Sequence, residues 1–146
     1  MYLLDTNVVA AISPRERRFP ADDLVAAWIE SNSDELWLSV ITAAEIEDGI
    51  AKASRTGATR KAQDLSEWWQ AIAHYYANRI LPVDLEAASI AGKLMDVARA
   101  GGISPGFEDI AIAATAKRHG LTVLTRNVKD FKPLGVAFID PFERLP

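Results

Sequence analysis

Short apolar runs alternate with longer stretches of helical periodicity along the chain. The runs Tyr2 to Leu4, Leu36 to Ser39, Arg79 to Val83, Thr122 to Thr125 and Val136 to Ile139 are too short for helices and are bounded by turn or capping residues, which predicts five strands. Pro82 weakens the third, because proline cannot donate to a ladder. Between the runs, Ala21 to Glu30 places Leu24, Ala27 and Trp28 at helical spacing, and Ala43 to Ala53 does the same with Ala43, Ile46, Ile50 and Ala53. Ala58 to Asn78 continues the pattern through Leu65, Trp68, Ile72 and Tyr75. A helix from Glu86 to Ala100 follows an Asp84 cap and stops at Gly101-Gly102. Ser104-Pro105 offers an N-cap and a first-position proline to a helix running from Pro105 to His119, stopped by Gly120. Helices separating nearly all the strands predict an α/β fold: a mainly parallel five-stranded sheet covered on both faces. Ligands of such sheets gather beyond the carboxyl ends of the strands, so that edge is where chemistry is sought.

Composition narrows the possibilities. The chain has 146 residues, 49% of them apolar and 25% charged, which predicts one domain over 1–146 and excludes disordered and fibrous classes. It has no cysteine, so disulfide frameworks, thiolate metal sites, iron–sulfur ligation and cysteine nucleophiles are excluded, and a reducing cytosol suits it. No apolar run approaches the roughly 18 to 20 residues of a membrane span, and MYLLDTNVVAAI carries an acid where a signal peptide would carry basic residues. A soluble, cytoplasmic protein without membrane attachment is expected. The net charge of −4 gives no overall positive field, so any nucleic-acid contact must use local patches. His74 and His119 are too few for a histidine-rich metal site, and His119 before Gly120 suits a helix C-terminus.

Three acids fall in suggestive places. Asp5 directly follows the first strand and opens Thr6-Asn7; as a favoured N-cap it would equally suit a helix from Thr6 to Ile12. Glu45 stands three residues after Thr42, the spacing of a capping box, which is also a sufficient structural explanation. Asp109 lies in Phe107-Glu108-Asp109-Ile110-Ala111-Ile112-Ala113-Ala114, a segment apolar around most of its circumference and therefore predicted to be buried. An acid there needs a partner, which a cation, a metal or the helix N-terminus could supply. Thr125-Arg126-Asn127 adds polar atoms at a second strand end, with Asp130 one turn later. Carboxylates converging without a cation would repel one another, and oxygen-only donors suit Mg²⁺ or Mn²⁺ rather than Zn²⁺.

Four segments together, MYLLDTNV, SVITAAEIEDGI, EDIAIAATA and LTVLTRNVKDF, make the chain resemble the PIN-domain family, and within it the VapC toxins of toxin–antitoxin pairs, over nearly its whole length. The resemblance implies a PIN-like three-layer fold and a metal-dependent endoribonuclease. Its metal-binding acids fall on Asp5, Glu45 and Asp109, and Thr6, Asn7, Ser39, Thr42 and Thr125 match its supporting polar positions. Asn127 is the departure, since many relatives carry Asp after T-R; an amide brings no charge, and Asp130 lies three residues on. Mg²⁺ held by Asp5 and Asp109, with Glu45 nearby, would activate water for in-line attack, leaving a 5′-phosphate and a 3′-hydroxyl. Glu45 or Asn127 could orient that water. The resemblance further implies loops of transfer or ribosomal RNA as substrate, a homodimer, a VapB-like antitoxin, higher-order complexes, and DNA contact only through the antitoxin.

Holding RNA at an acidic pocket calls for cations at its rim. The candidates are Arg15, Arg17, Arg18, Lys52, Arg55, Arg60, Lys61 and Arg126, although most surface charges are merely solvated. Trp68-Trp69 with Ile72, Tyr75 and Tyr76 exceeds the needs of one buried stripe, leaving core, dimer and antitoxin contacts as alternatives. Rival classes fit less well. An aspartyl phosphatase would favour D-x-D where position 7 is Asn, and a nucleotide-binding domain would want a glycine-rich loop after the first strand. A catalytically decayed PIN domain kept as a protein-interaction module is the remaining alternative, with Asn127 as its sign.

Overall fold

The computed structural model describes residues 1–13 and 19–146. In chain order the main elements are β1 (Tyr2–Leu4), α1 (Thr6–Ala11), α2 (Pro20–Ser31), β2 (Leu36–Ser39), α3 (Val40–Arg55), α4 (Thr59–Tyr75), β3 (Ile80–Leu81), α5 (Leu85–Ala100), α6 (Phe107–His119), β4 (Thr122–Leu124), α7 (Val128–Phe131) and β5 (Phe138–Ile139). The strands form one sheet in the order β3-β2-β1-β4-β5, with each neighbouring pair parallel. The expected α/β architecture is therefore present. The chain builds outward from β1 to one side and then returns to the other, so the order reverses between β1 and β4, the place where parallel sheets open a crevice.

Strand alternation divides the interior into two cores. Leu3 and Val123 face one side, where Ala91 and Leu94 of α5 and Ile112 of α6 cover them. Leu4, Leu38 and Leu124 face the other, against Val8 of α1, Val25 of α2, Ile46 of α3 and Trp69 of α4. Each fully buried leucine contributes roughly 2 kcal/mol of transfer free energy. Every residue of α6 from Ile110 to Ala116 is buried, as its apolar circumference predicts, and Gly120 ends the helix at φ 64°.

Several boundaries differ from expectation, for local reasons. Helix α3 begins at Val40 rather than Ala43, because Ser39 is both the last residue of β2 and an extended N-cap whose hydroxyl accepts from the Ile41 N–H at 3.1 Å. The Thr42–Glu45 capping box is thereby overturned. Thr42 lies inside the first turn, and its hydroxyl donates to the Leu4 carbonyl at 3.4 Å. Helix α6 starts at Phe107 with an extended Gly106 as its cap, so Ser104-Pro105 precedes the helix instead of opening it. Helix α4 ends at Tyr75 in a 3₁₀ turn over Ala77–Arg79, and the third strand shrinks to Ile80–Leu81, an edge position that ends at Pro82.

Candidate active site

Asp5 leaves β1 with an extended backbone, φ −73° and ψ 153°, and caps α1. Its Oδ1 accepts from the Thr6 N–H at 2.7 Å. The cap expectation holds, and it is incomplete. Oδ2 accepts from Thr125 Oγ1 at 2.6 Å and from Asn7 Nδ2 at 2.5 Å, so a carboxylate only 3% exposed is surrounded by neutral donors. Burial pushes the Asp5 pKa from 3.8 to about 6; the Thr125 and Thr6 hydrogen bonds pull it down, while the carboxylates of Asp109 and Glu45 push it up.

Asp109 occupies the first turn of α6, and its Oδ2 accepts from Asn127 Nδ2 at 3.0 Å. Its partner is thus an amide rather than a cation. The Asp109 pKa is raised chiefly by burial, against the Asn127 bond, with further upward pushes from Asp130, Glu45 and Glu108. Asn127 in turn donates its backbone N–H to Thr125 Oγ1 at 2.9 Å, which sets the segment after β4 between the two acids. Glu45 projects from α3, and its Oε2 accepts from the Thr6 hydroxyl. Ser39 caps α3 and Thr42 ties it to the end of β1, so both hold the helix that carries Glu45.

The structure therefore brings Asp5, Asp109, Glu45, Asn127, Thr6, Asn7 and Thr125 to one strand-end site, with Asp130 near Asp109. Among the described residues no three acidic or histidine side chains converge closely enough to hold one ion between them. Glu45 is turned to Thr6 and Asp109 to Asn127. The donors are nonetheless all oxygen, and their mutual repulsion is the charge imbalance that a divalent cation neutralises.

Beside the acids lies a cleft of about 560 Å³ between α1, α3 and α4. Thr6, Asn7 and Glu45 form its polar end, and Ile46, Ile50, Leu65 and Trp68 its apolar wall. Trp68 also borders a second cavity of about 280 Å³. Trp69 and Tyr76 are core residues, whereas Tyr75 is exposed with its hydroxyl 2.9 Å from Ser33 Oγ. The aromatic surplus thus divides between core, cleft wall and surface.

The expected cations fare differently. Arg15, Arg17 and Arg18 lie outside the described residues. Lys52, Arg55, Arg60 and Lys61 are exposed, the first two in the last turn of α3, and Lys61 borders the cleft. Arg126 also lines the cleft, together with Asp22, a buried acid of α2 that it bonds at 2.6 Å, and it lies over the Phe142 ring with 3.4 Å to its centroid. Sequence reasoning named neither Asp22 nor Phe142. Asp22-Asp23 reads as an ordinary acidic first turn; Asp22, the third helical residue, accepts from the Phe19 N–H at 3.0 Å and is buried, whereas Asp23 is exposed.

Residues 2–135 match the model of a family described as PIN domain. VapC ribonuclease Y4jK of Sinorhizobium fredii is 35% identical over 144 residues, spanning 98% of this chain and 99% of the relative. Toxin FitB of Neisseria gonorrhoeae is 35% identical over 143 residues, spanning 97% of this chain and 99% of the relative. The crystal structure of FitAcB from that organism aligns with a TM-score of 0.84 at 36% identity, covering 97% of this chain and 99% of the other.

Proposed function

The chain belongs to the PIN-domain family, and from that premise we propose that it is an endoribonuclease toxin of a toxin–antitoxin pair, hydrolysing RNA phosphodiesters with Mg²⁺ or Mn²⁺ at Asp5 and Asp109, with Glu45 nearby. The observation that carries this reading is the meeting of Asp5 and Asp109 at the carboxyl edge of the sheet, each bonded only to neutral donors in the geometry above and each raised in pKa partly by other carboxylates. An all-oxygen set fits a hard divalent ion. When bound, such an ion supplies Lewis-acid polarisation of the phosphodiester and acidifies the attacking water.

The protein groups have separate tasks in this account. Asn7 and Thr125 orient Asp5, and Asn127 orients Asp109. Glu45, held by Thr6, faces the cleft and takes the proton of the attacking water. Water adds in line at phosphorus as the bond to the 3′-oxygen breaks, and that oxygen takes a proton from solvent, leaving a 5′-phosphate and a 3′-hydroxyl without use of the 2′-hydroxyl. Lys61 at the cleft, with Lys52 and Arg55 exposed in the last turn of α3, supplies phosphate contacts in this reading, and single-stranded loops of transfer or ribosomal RNA suit a site that must reach a splayed backbone.

We assign the apolar cleft to a segment of a VapB-like antitoxin, which also carries any DNA contact, and a second copy of this chain to a homodimer within a larger complex. The relative named toxin FitB and the alignment to FitAcB support the antitoxin partner alone; its seat in the cleft and the homodimer belong to the proposal. No described helix is long and apolar enough to cross a membrane, in keeping with action on cytoplasmic RNA.

The test is incubation of purified, antitoxin-free protein with structured RNA in Mg²⁺, Mn²⁺, Ca²⁺ or EDTA. Cleavage to 5′-phosphate ends is expected with Mg²⁺ or Mn²⁺. Ca²⁺ should raise the melting temperature yet support cleavage poorly. Equal activity in EDTA contradicts the metal mechanism, and intact RNA in every condition favours the interaction-module alternative.

A further inference from the structure

The residue between Thr125 and Asn127 ties three distant segments together. The Arg126 backbone N–H donates to Asn7 Oδ1 at 3.1 Å. With that oxygen engaged, Asn7 Nδ2 is the end that faces Asp5 Oδ2, at 2.5 Å, and Thr125 Oγ1, at 3.2 Å. The Arg126 guanidinium meanwhile crosses to α2, where Nη2 bonds Asp22 Oδ1 at 2.6 Å, and its plane rests on Phe142. The Asp22 side chain is 3% exposed, and its Oδ2 accepts from the Phe19 N–H at 3.0 Å. A carboxylate so buried is costly without compensation, and its bond to Arg126 ties the guanidinium to α2. Arginine suits the place better than lysine, because a planar fork can bond the acid and stack on the ring at once.

We propose that Asp22 and Arg126 form a clamp that positions Asn7 and the Thr125–Asn127 segment against the acidic site, with Phe142 as its backing. Arg126 is then a positioning residue, its guanidinium held by the protein and not by RNA phosphate. In its catalytic consequence the proposal rests on the nuclease reading above. The two roles open to Arg126 predict opposite results when Asp22 loses its charge. Under the clamp, Asp22→Asn damages catalysis. Under phosphate binding, Asp22→Asn frees the guanidinium and leaves RNA affinity equal or better.

The experiment compares wild type, Asp22→Asn, Arg126→Lys, Arg126→Met and the Asp22→Asn/Arg126→Met double variant. The readouts are steady-state RNA cleavage across a salt series, hydrogen exchange of the Arg126 amide and the NMR signals of the Asn7 side-chain amide. The clamp predicts that Asp22→Asn and Arg126→Met each lower kcat by about tenfold or more, as small misplacements do, with KM within about twofold. The double variant is no worse than either single one. Arg126→Lys keeps the charge and shows the same kcat-only loss at smaller size. In each variant the Arg126 amide exchanges faster and the Asn7 signals move. A raised KM and flattened salt dependence in Arg126→Met, beside an unchanged or lower KM in Asp22→Asn, overturns the clamp in favour of a phosphate contact. Wild-type kcat in Arg126→Lys with unfolding of the other variants assigns the pair to stability alone and also overturns it. If wild type cleaves no RNA, the nuclease reading fails, and unchanged Arg126 amide exchange in Asp22→Asn then overturns the clamp by itself.

Discussion

Two aspartates follow parallel strands and cap the next helix: Asp5 between β1 and α1, and Asp84 between β3 and α5. Asp84 accepts from the Ala87 N–H at 2.7 Å. That bond, followed by Arg118 and His119, outweighs its desolvation and holds its pKa below the usual value. Asp5 makes a similar bond, yet its pKa rises to about 6, because burial and the carboxylates of Asp109 and Glu45 outweigh the donors around it. Cap geometry therefore does not distinguish them. Their surroundings do: β1 is central and ends where Asp109, Glu45 and the segment after β4 meet, whereas β3 is an edge and its acid has an arginine at 3.7 Å. The charge of the Asp84 cap is compensated by its surroundings, whereas that of Asp5 is not, and the proposed function turns on that difference.

The largest expected effect separates the central acidic site from the Asp84 cap at the edge strand by activity. Asp109→Asn and Glu45→Gln should each lower Mg²⁺-dependent cleavage by about a hundredfold or more, beyond what outer-shell partners usually contribute. Asp84→Asn, which preserves the cap, should leave cleavage at the wild-type rate. A comparable loss in Asp84→Asn, measured on the same RNA, would erase the contrast.

Next in size is Asn127→Asp. The Asn127 amide donates to Asp109 at 3.0 Å, and a carboxylate in its place sets like charges at that contact. The metal-free protein should lose about 1 to 2 kcal/mol, while Mg²⁺ should bind more tightly and recover the loss. Thermal melts in EDTA and across a Mg²⁺ titration check both halves. If neither moves, Asn127 lies outside the metal shell and Asp130 becomes the better fourth oxygen.

A smaller effect contrasts the acids by pH in chelator. Because the folded Asp5 pKa is raised from 3.8 to about 6, the folded protein binds a proton between those values that the unfolded chain lacks. Wild-type stability from this group falls as pH rises through that window, with a ceiling of roughly 3 kcal/mol. Asp5→Asn should therefore melt higher than wild type above pH about 6, by about 1 kcal/mol because the new amide cannot accept at both ends, and the gain should vanish below pH about 4. Asp84 has the opposite sign. Its lowered pKa contributes stability above 3.8 that is lost as pH falls further, so Asp84→Asn should show a slight loss at neutral pH and none in acid. Melting curves from pH about 2 to about 8 distinguish the two.

Much of the site was legible because β1, α6 and the β4 end each advertise their acid or amide locally. Asp5 interrupts an apolar opening, and Asp109 directly precedes the apolar run Ile110 to Ala114 of α6. The sheet order was not legible in that way, since parallel neighbours are chosen by packing between distant segments. Nor was the start of α3. Val40 and Ile41 are β-branched and look like continued strand, while Ser39 serves strand and cap together. The contact from Arg126 to Asp22 spans 104 residues in sequence; the place of Asp22 two residues after Pro20 suits a bond back to the Phe19 N–H, but nothing local points to its distant arginine.

The central claim is that Asp5 is a cap whose charge serves catalysis, and a single paired measurement on Asp5→Asn addresses it. In EDTA at neutral pH the variant should melt at or above the wild-type temperature, showing that the cap and fold survive. In Mg²⁺ it should lose most cleavage and most metal-induced stabilisation, with Asp109→Asn behaving alike. Wild-type cleavage rates in Mg²⁺ from Asp5→Asn would instead make Asp5 the structural cap that Asp84 is, and would contradict the catalytic assignment.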